Sequence, residues 1–422
     1  MKVLFLTNEP LNRLRSGPAI RCLELAVVVA KHHQVTVASL QKCDLELGGI
    51  RLMPEALRTR RELESVARSS DVVVTQGLVM ARFPALVKLA KHLVIDLYDP
   101  YLFEYLAHSH PAYPTWGYLR QLHRLNQQML EGDFFLCASE RQRDYWLGRL
   151  CALGRLNPQQ YAQDSNFERL LATVPFGLSP EPPQHTRSVL KSVLPGIGKK
   201  DFVALWAGGL WQWLDPLTVI RAMAGVAPIA PQVKLVFLGA RDPSPKNRLM
   251  SIADDARRLA AELDLLDRSV FFHEEWVPYD ERQNFLLEAD VGISAHPSTI
   301  ESRFAFRTRV LDYIWAGLPM ILSTGDDFGL WITHEKVGRA VAPGDVAGWR
   351  DAILYWASQP GERQQARFAL ASLVSRFHWE KVAGPLLQYC QRPYRTHRSS
   401  PLRKRLVPLL SSGYEIAKGL RR

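Results

Sequence analysis

Charged and hydroxyl side chains suited to binding a diphosphate crowd into one short stretch, residues 297–309. Arg307, Thr308 and Arg309 stand at a predicted strand-to-helix transition, a little after Glu301. Guanidinium groups bind phosphate oxygens through paired hydrogen bonds, and the first turn of a helix adds partial positive charge. We therefore expect Arg307 and Arg309 to stabilise the charge of a diphosphate, with Thr308 as a further ligand. A solvated helix face with the same charges is the simpler alternative.

Asp312 lies one turn into the same predicted helix. Its carboxylate is placed to accept hydrogen bonds from the hydroxyl groups of a ribose next to that diphosphate. The alternative role is that of a local ion-pair partner for a neighbouring basic residue.

Two loops in the first half of the chain also carry residues suited to a sugar phosphate. Gly17, between Ser16 and Pro18, comes directly before a predicted helix at 19–31 and would let the backbone approach an anion. Asp99 follows a predicted strand and is placed to bind a sugar or acceptor hydroxyl. Both residues have plain alternatives, because Gly-Pro starts many helices and Asp-Pro favours an Asx turn.

The elements that must position these residues form two consecutive α/β units. Short apolar runs alternate with helical segments such as 79–91, and the pattern restarts near residue 201 after a stretch rich in Pro, Gly and Ser. This alternation indicates parallel sheets covered on both faces, whose ligands bind beyond the carboxyl ends of the strands. The predicted strands are 2–6, 35–40, 72–75, 93–97, 134–139, 202–209, 234–240, 270–274, 291–296 and 320–324.

The net charge of +11 in 422 residues is concentrated at one end of the chain. From Arg392 onward there are nine Lys or Arg and a single acid, Glu415, so the rest of the chain is nearly neutral. Such a segment suits an anionic membrane surface, and a solvated, disordered terminus is the alternative. The five cysteines include no CxxC pair, and no apolar run is long enough to span a bilayer. We expect a cytoplasmic protein, peripheral at the inner face of the membrane.

The segment RVLDYIWAGLPMI, which starts at Arg309, is similar to the donor-site segment of the retaining, GT-B-fold glycosyltransferases of family 4 (glycosyltransferase group 1). Arg309 takes the place of that family's Lys, and Asp312 the place of the acid that holds the ribose. The resemblance extends over about residues 1–390, including ASERQRDYW at 138–146 and WAGGL at 206–210. It implies an α/β protein of the GT-B fold, with two doubly wound Rossmann-like domains facing across a cleft.

The resemblance also implies a domain plan and a reaction. The expected reaction is the retaining, metal-independent transfer of a sugar to a glycan or lipid-linked glycan, as part of bacterial cell-surface polysaccharide synthesis. The donor is a nucleoside diphosphate sugar, which acts as co-substrate, and no cofactor is expected. The expected parts are an acceptor domain (1–185), a linker (186–200), a donor domain (201–375), a C-terminal helix (376–392) packing back on the first domain, and the basic tail (393–422).

Three departures from the family pattern affect the expected donor site. Phe304 stands eight positions before Asp312, where the family has a second acid, so Glu301 is the nearest candidate for the sugar contact. The usual Arg and Lys after the glycines are missing from GGLWQWLDP, where Trp211 and Trp213 offer stacking surfaces for a base or acceptor sugar, or simply pack. Tyr98 stands where family members often have His.

Three other classes of function fit parts of this sequence. A catalytically degenerate scaffold would explain the missing acid and the missing Arg-Lys pair. A nucleic-acid-binding protein would use the basic tail, although we expect no nucleic acid partner, and a nucleotide-sugar epimerase would share the architecture. No GxGxxG follows the first strand, which disfavours a dinucleotide oxidoreductase.

Overall fold

Two parallel sheets form the frame of the protein, described here from a computed structural model over residues 1–77, 79–107, 115–239 and 251–396. The strands of the first sheet are β1 (Lys2–Thr7), β2 (Gln34–Ser39), β3 (Ile50–Met53), β4 (Val72–Gln76), β5 (Leu93–Asp96), β6 (Phe134–Cys137) and β7 (Leu171–Thr173). Those of the second are β8 (Phe202–Trp206), β9 (Val233–Leu238), β10 (Val270–His273), β11 (Val291–Ser294), β12 (Met320–Ser323) and β13 (Gly338–Val341).

Both sheets are doubly wound, because their strand order reverses beside the first strand of each. The orders are β3-β2-β1-β4-β5-β6-β7 and β10-β9-β8-β11-β12-β13, and all the pairings are parallel. Strands β4, β6, β8, β11 and β12 are buried along their whole length. This is the burial expected of strands covered by helices on both faces, and it confirms the predicted α/β architecture.

Helices connect the strands and cover the sheets. In the first domain they are α1 (Gly17–Ala30), α2 (Arg60–Ser69), α3 (Val79–Arg82), α4 (Leu86–Leu89), α5 (Tyr101–Ala107), α6 (Thr115–Glu131), α7 (Glu140–Ala152) and α8 (Pro158–Gln163). The second domain and the C-terminal segment contribute α9 (Pro216–Val226), α10 (Ile252–Glu262), α11 (Arg282–Glu288), α12 (Ile300–Phe304), α13 (Thr308–Trp315), α14 (Asp327–His334), α15 (Val346–Ser358), α16 (Pro360–Leu373), a 3-10 turn (Val374–Phe377), α17 (Trp379–Val382) and α18 (Gly384–Gln391).

The segment 79–91, predicted as helical, is divided into α3 and α4 by a break around Pro84. Proline lacks the backbone N–H that an uninterrupted helix needs, so the helical pattern stops and restarts there. Among the described residues, no helix has the length and apolar character needed to cross a bilayer. All five cysteines are unpaired thiols.

The chain returns to the first domain after α16. Lys31 pairs with Glu380 at 2.7 Å, and the ring of Tyr389 stacks on Phe134 with centroids 4.6 Å apart. The hydroxyl of Thr396 donates to the carbonyl of Asp133 at 2.7 Å. The basic tail predicted from residue 393 lies outside the described residues from 397 onward.

The segment between the two sheets packs against the second domain. The carboxylate of Glu288 accepts hydrogen bonds from the backbone amides of Val189, Leu190 and Lys191 at 2.7 to 3.0 Å. These three bonds attach part of the stretch predicted as a linker to α11.

Candidate functional site

The carboxyl ends of the two sheets face each other across a cleft that several contacts bridge. Gln142 Nε2 donates to the carbonyl of Phe304 at 2.9 Å, and Arg141 pairs with Asp327 at 2.9 Å. On the other side, the amide of Tyr279 donates to the carbonyl of Arg13 at 3.1 Å. The loops that carry the predicted site residues line this cleft.

Helix α13 is anchored to the second sheet by Tyr313, and this anchor positions the basic residues of its first turn. The buried Tyr313 hydroxyl lies 3.1 and 2.7 Å from the carbonyl oxygens of Leu205 and Ile293. It also accepts a hydrogen bond from the amide of Ala207 at 3.0 Å. The N-terminus of α13 is therefore held over the carboxyl ends of β8 and β11.

Arg309 extends from this helix towards the glycines after β8. Its Nη2 donates to the carbonyl of Gly209 at 2.9 Å, and its guanidinium lies 4.7 Å from the ring centroid of Trp206. The Nη1 atom is buried and has no hydrogen-bond partner among the described residues. Burial lowers the pKa of Arg309 to about 10, with Arg307 lowering it further and Tyr313 and Asp312 opposing. A buried cationic nitrogen without a partner next to the carboxyl ends of the strands is compatible with an anionic ligand there.

Glu301 and Arg307 form a buried ion pair with two parallel hydrogen bonds. The distances are 3.1 Å from Arg307 Nη1 to Glu301 Oε1 and 2.8 Å from Nη2 to Oε2. Both side chains are over 90% buried, with 7% of Arg307 and 3% of Glu301 exposed. Arg307 therefore donates two of its hydrogen bonds to Glu301, while its buried Nε has no partner among the described residues. The sequence predicted separate ligand roles for these two residues, and the structure joins them.

Two carboxyl groups of the first domain stand close to this ion pair. Burial raises the pKa of Asp99 to about 7, the Glu301 carboxylate raises it further, and Arg307 lowers it. Burial also raises the pKa of Glu104 well above its usual range, together with Asp99 and Glu301 and against Arg307. The structure thus gathers Asp99, Glu301 and Arg307, and it adds Glu104, which the sequence analysis missed. Its position early in the helix that follows Asp99 was the available signal.

Asp312 is engaged by a base from α11. Arg282 Nε lies 2.9 Å from Asp312 Oδ1, and the Arg282 guanidinium packs between the rings of Tyr279 and Trp315, at 3.6 and 4.5 Å from their centroids. The pair corresponds to the ion-pair alternative considered for Asp312. Because the Asp312 side chain keeps 28% exposure, one side of the carboxylate remains open to a ligand. Arg282 carried no signal in the sequence.

Three tryptophans form an aromatic wall next to Gly209. Trp211 stacks on Trp213 with centroids 5.6 Å apart and planes 7° apart, and Trp276 meets Trp211 edge-on at 6.3 Å. A Cβ at Gly209 would lie 3.1 Å from Trp211 and 3.2 Å from Trp276, so glycine lets the wall approach the backbone. Trp211 is therefore next to the carbonyl that Arg309 binds.

Gly17 begins α1 at the carboxyl end of β1, with Pro18 in the first turn. The Ser16 hydroxyl donates to Glu9 at 3.0 Å and does not cap the helix. A Cβ at Gly17 would meet no atom within 4 Å, so packing does not demand a glycine there. Thr308 is the first residue of α13. Among the described residues, no group of three or more His, Cys, Asp or Glu is placed to hold a metal ion.

Residues 201–359 match the profile of the family described as glycosyl transferases group 1. A search of curated proteins found no match to the chain.

Several solved structures share the fold along nearly the whole chain. Sucrose-phosphate synthase from Thermosynechococcus elongatus has a TM-score of 0.64 at 13% identity, covering 93% of this chain and 99% of that one. HepE from Anabaena, crystallised with UDP, has a TM-score of 0.60 at 16% identity and coverages of 93% and 100%. WaaG, a glycosyltransferase involved in lipopolysaccharide biosynthesis, has a TM-score of 0.63 at 15% identity and coverages of 92% and 100%. The chain thus has the GT-B fold, and its residues 201–359 form a glycosyltransferase group 1 domain.

Proposed function

We propose that this protein transfers a sugar from a nucleoside diphosphate sugar to a hydroxyl group of a glycan or lipid-linked glycan. The observation that carries the proposal is the buried Nη1 of Arg309, which lies within the matched segment 201–359 and has no hydrogen-bond partner among the described residues. A diphosphate oxygen would satisfy that nitrogen and compensate its positive charge. Crystal structures of the similar HepE contain UDP and UDP-glucose, which supports a nucleotide-sugar donor here.

In the proposed reaction the bond between the sugar C1 and the diphosphate oxygen breaks, and a bond from C1 to the acceptor oxygen forms on the same face. The acceptor proton passes to an oxygen of the leaving diphosphate, whose growing charge Arg309 stabilises with Thr308 and the first turn of α13. Asp312 holds the ribose, and Gly17 lets the start of α1 approach the phosphates. Retention of stereochemistry and independence from metal and cofactor belong to the proposal because of the family resemblance.

The other predicted residues take supporting roles. Arg307 compensates the negative charge of Glu301 and orients the Glu301 carboxylate towards the sugar. Asp99 binds a sugar or acceptor hydroxyl, and Trp211 packs against the nucleotide or the acceptor sugar.

We also propose that the reaction serves cell-surface polysaccharide synthesis at the cytoplasmic face of the membrane. The support is the concentration of nine basic residues after residue 391, each of which contributes about 1 kcal/mol near an anionic surface. Flotation of the full chain with vesicles containing phosphatidylglycerol, compared with neutral vesicles, tests this part of the proposal.

A second candidate function is that of a scaffold that binds a nucleotide sugar without transferring it. One observation favours it: Phe304, at the position of the family's second acid, stacks on Phe103 at 5.6 Å and lies 5.3 Å from Tyr145. This aromatic cluster packs the two domains together where a sugar-binding carboxylate would otherwise stand.

A thermal-shift screen against UDP, GDP, dTDP, ADP, CMP and their sugars tests the proposal first. A ligand at a hundred times its dissociation constant stabilises the native state by about 2.7 kcal/mol, so one nucleotide should raise the melting temperature selectively. Arg309→Met should at least halve the stabilisation, and Arg303→Met, which changes an exposed arginine nearby, should leave it intact. Product analysis then separates transfer from binding alone. A shift of unchanged size in Arg309→Met would contradict the proposed donor site.

A further inference from the structure

The first turn of α7 contacts the second domain across the cleft through two consecutive side chains. Gln142 Nε2 donates to the carbonyl of Phe304 at 2.9 Å, and Arg141 Nη1 donates to the carbonyl of Gly325 at 2.6 Å. Arg141 also pairs through its Nε with Asp327 at 2.9 Å. One helix turn of the first domain therefore binds the end of α12 and the start of α14.

Both ends of the Gln142 side-chain amide are hydrogen-bonded. Its Oε1 accepts from the backbone amide of Ala138 at 2.8 Å, which leaves Nε2 to face the second domain. Gln142 is fully buried, and its backbone amide donates to the hydroxyl of Ser139, the N-cap of α7, at 3.3 Å. Reversing the amide would bring its oxygen against the carbonyl oxygen of Phe304. The fold of the first domain thus fixes the direction in which Nε2 donates.

The carbonyl that accepts this bond belongs to the last residue of α12, Phe304. Carbonyl groups in the last turn of a helix have no partner inside the helix, so Gln142 supplies a partner from the other domain. Only residues 305–307 separate α12 from α13. This short connection joins Glu301, on α12, to the basic residues that begin α13.

Aromatic contacts hold the same connection against the first domain. Tyr145 lies three residues after Gln142, on the same face of α7, and its ring centroid is 5.3 Å from that of Phe304. Within the connection, Phe306 stacks on Phe176 with centroids 5.8 Å apart and planes 14° apart. The connection is therefore shaped by groups of the first domain as well as by its own.

We propose, building on the proposed transferase function, that Gln142 is a positioning residue for the sugar end of the donor site. Its bond to Phe304 sets the connection between α12 and α13, and with it the place of Glu301 beside the donor sugar. Arg309 is held in another way, because Tyr313 anchors α13 to the second sheet. Loss of the Gln142 bond should disturb the contact with the sugar and spare the contact with the nucleotide.

Isothermal titration of the full chain tests this inference with two ligands. They are the nucleotide sugar that gives the largest thermal shift and its free nucleotide. Gln142→Leu should weaken binding of the nucleotide sugar by about tenfold or more, the loss expected for a hydrogen bond between the sugar and a charged group. Binding of the free nucleotide should change by less than about twofold. Gln159→Leu, at an exposed position of the same domain, is the matched control and should change neither affinity.

A second variant checks that the hydrogen-bond donor is what matters. In Gln142→Glu the new carboxyl group can donate to the carbonyl of Phe304 only when it is protonated. Its affinity for the nucleotide sugar, relative to that of the wild type, should therefore recover as the pH is lowered from about 8 to about 5, whereas that of Gln142→Leu should not. A purely structural role would lower the stability of both variants without this recovery.

If circular dichroism shows that Gln142→Leu does not fold, Arg141→Glu takes its place, because 36% of the Arg141 side chain is exposed. The reversed charge repels Asp327 and should give the same selective loss of affinity. Adding Asp327→Arg restores an ion pair and should recover the affinity. An unchanged affinity in Arg141→Glu, or a loss that Asp327→Arg does not reverse, would overturn the inference.

The results separate this inference from the proposed function on which it rests. Equal losses for the nucleotide sugar and the free nucleotide in Gln142→Leu, or no loss for either, would overturn the inference. A nucleotide-induced thermal shift in the wild type would still support the transferase proposal. A wild-type protein without any nucleotide-induced shift overturns both.

Discussion

Replacing Arg309 with Met should make the protein more stable and weaken its binding of the nucleotide. Arg309 is a largely buried cation, with Nη1 fully buried, whose partners among the described residues are a carbonyl oxygen and an aromatic ring and not a carboxylate. Residues kept at a cost to stability are characteristic of functional sites. Met has a similar length and fills the same space against Trp206 without the charge.

The magnitude follows from the lowered pKa of Arg309. A fall from above 12 to about 10 corresponds to about 3 kcal/mol of unfavourable free energy when the charged group is buried. The sign is clear at pH 7, because a base with a lowered pKa destabilises the folded state at every pH below its folded pKa. Losing the hydrogen bond to Gly209 and the contact with Trp206 lowers the stability of the variant by about 1 to 2 kcal/mol. The net gain for Arg309→Met is therefore about 1 to 2 kcal/mol.

Urea denaturation at pH 7 measures the change, with Arg303→Met as the matched exposed control, which should change stability by less than about 0.5 kcal/mol. Isothermal titration with the preferred nucleotide should show affinity weakened by about tenfold to a hundredfold in Arg309→Met alone, the loss expected for one charged hydrogen bond. A variant that is less stable than the wild type and still binds nucleotide would show that Arg309 is structural, and would refute this reasoning.

Three further predictions test the parts around Arg309. Glu301→Gln should destabilise the protein by about 3 to 5 kcal/mol in urea denaturation, since it leaves the buried Arg307 without its counter-ion. Replacing Glu301 by Leu and Arg307 by Met together should recover most of that loss. A failure to recover would indicate that the Glu301 carboxylate has another structural partner. Asp99→Asn should raise the free energy of unfolding more at pH 8 than at pH 5. The cost of ionising the wild-type Asp99 develops between its ordinary pKa of about 4 and its folded pKa of about 7. A difference between variant and wild type that does not change with pH would show that another group holds the proton. Tyr313→Phe should cost about 1 to 3 kcal/mol by thermal or urea denaturation, because the buried amide of Ala207 loses its acceptor, and an unchanged stability would mean that α13 is held by packing alone.

Much of the fold was predictable because continuous apolar runs have few alternatives to buried parallel strands. Each strand predicted from such a run is present, with bounds that differ by a few residues. The strands that the sequence analysis missed are β3, β7 and β13. Ile50–Met53 and Gly338–Val341 lie at the sheet edges and each has only one buried residue, and Leu171–Thr173 is only three residues long. Short or half-exposed edge strands carry too weak a hydrophobic pattern to stand out.

The candidate site was predictable only in part, since residue types and loops can be read from sequence but partners cannot. The loop and helix holding Arg307, Thr308, Arg309 and Asp312 stand where the alternation of strands and helices predicted them. Their roles as ligands remain predictions. That Arg307 binds Glu301, and that Asp312 binds the unpredicted Arg282, depends on distances between elements far apart in the chain.

The sequence by itself determined the two doubly wound domains and the strand ends at which charged residues collect, because hydrophobic periodicity and strand-to-helix transitions are local properties. Only the tertiary structure decided which charges meet and which remain unpaired. Glu104 and Asp99 come from the first domain, whereas Glu301 and Arg307 come from the second. Their protonation is set by burial and by each other's fields, which exist only when the two domains close on one another.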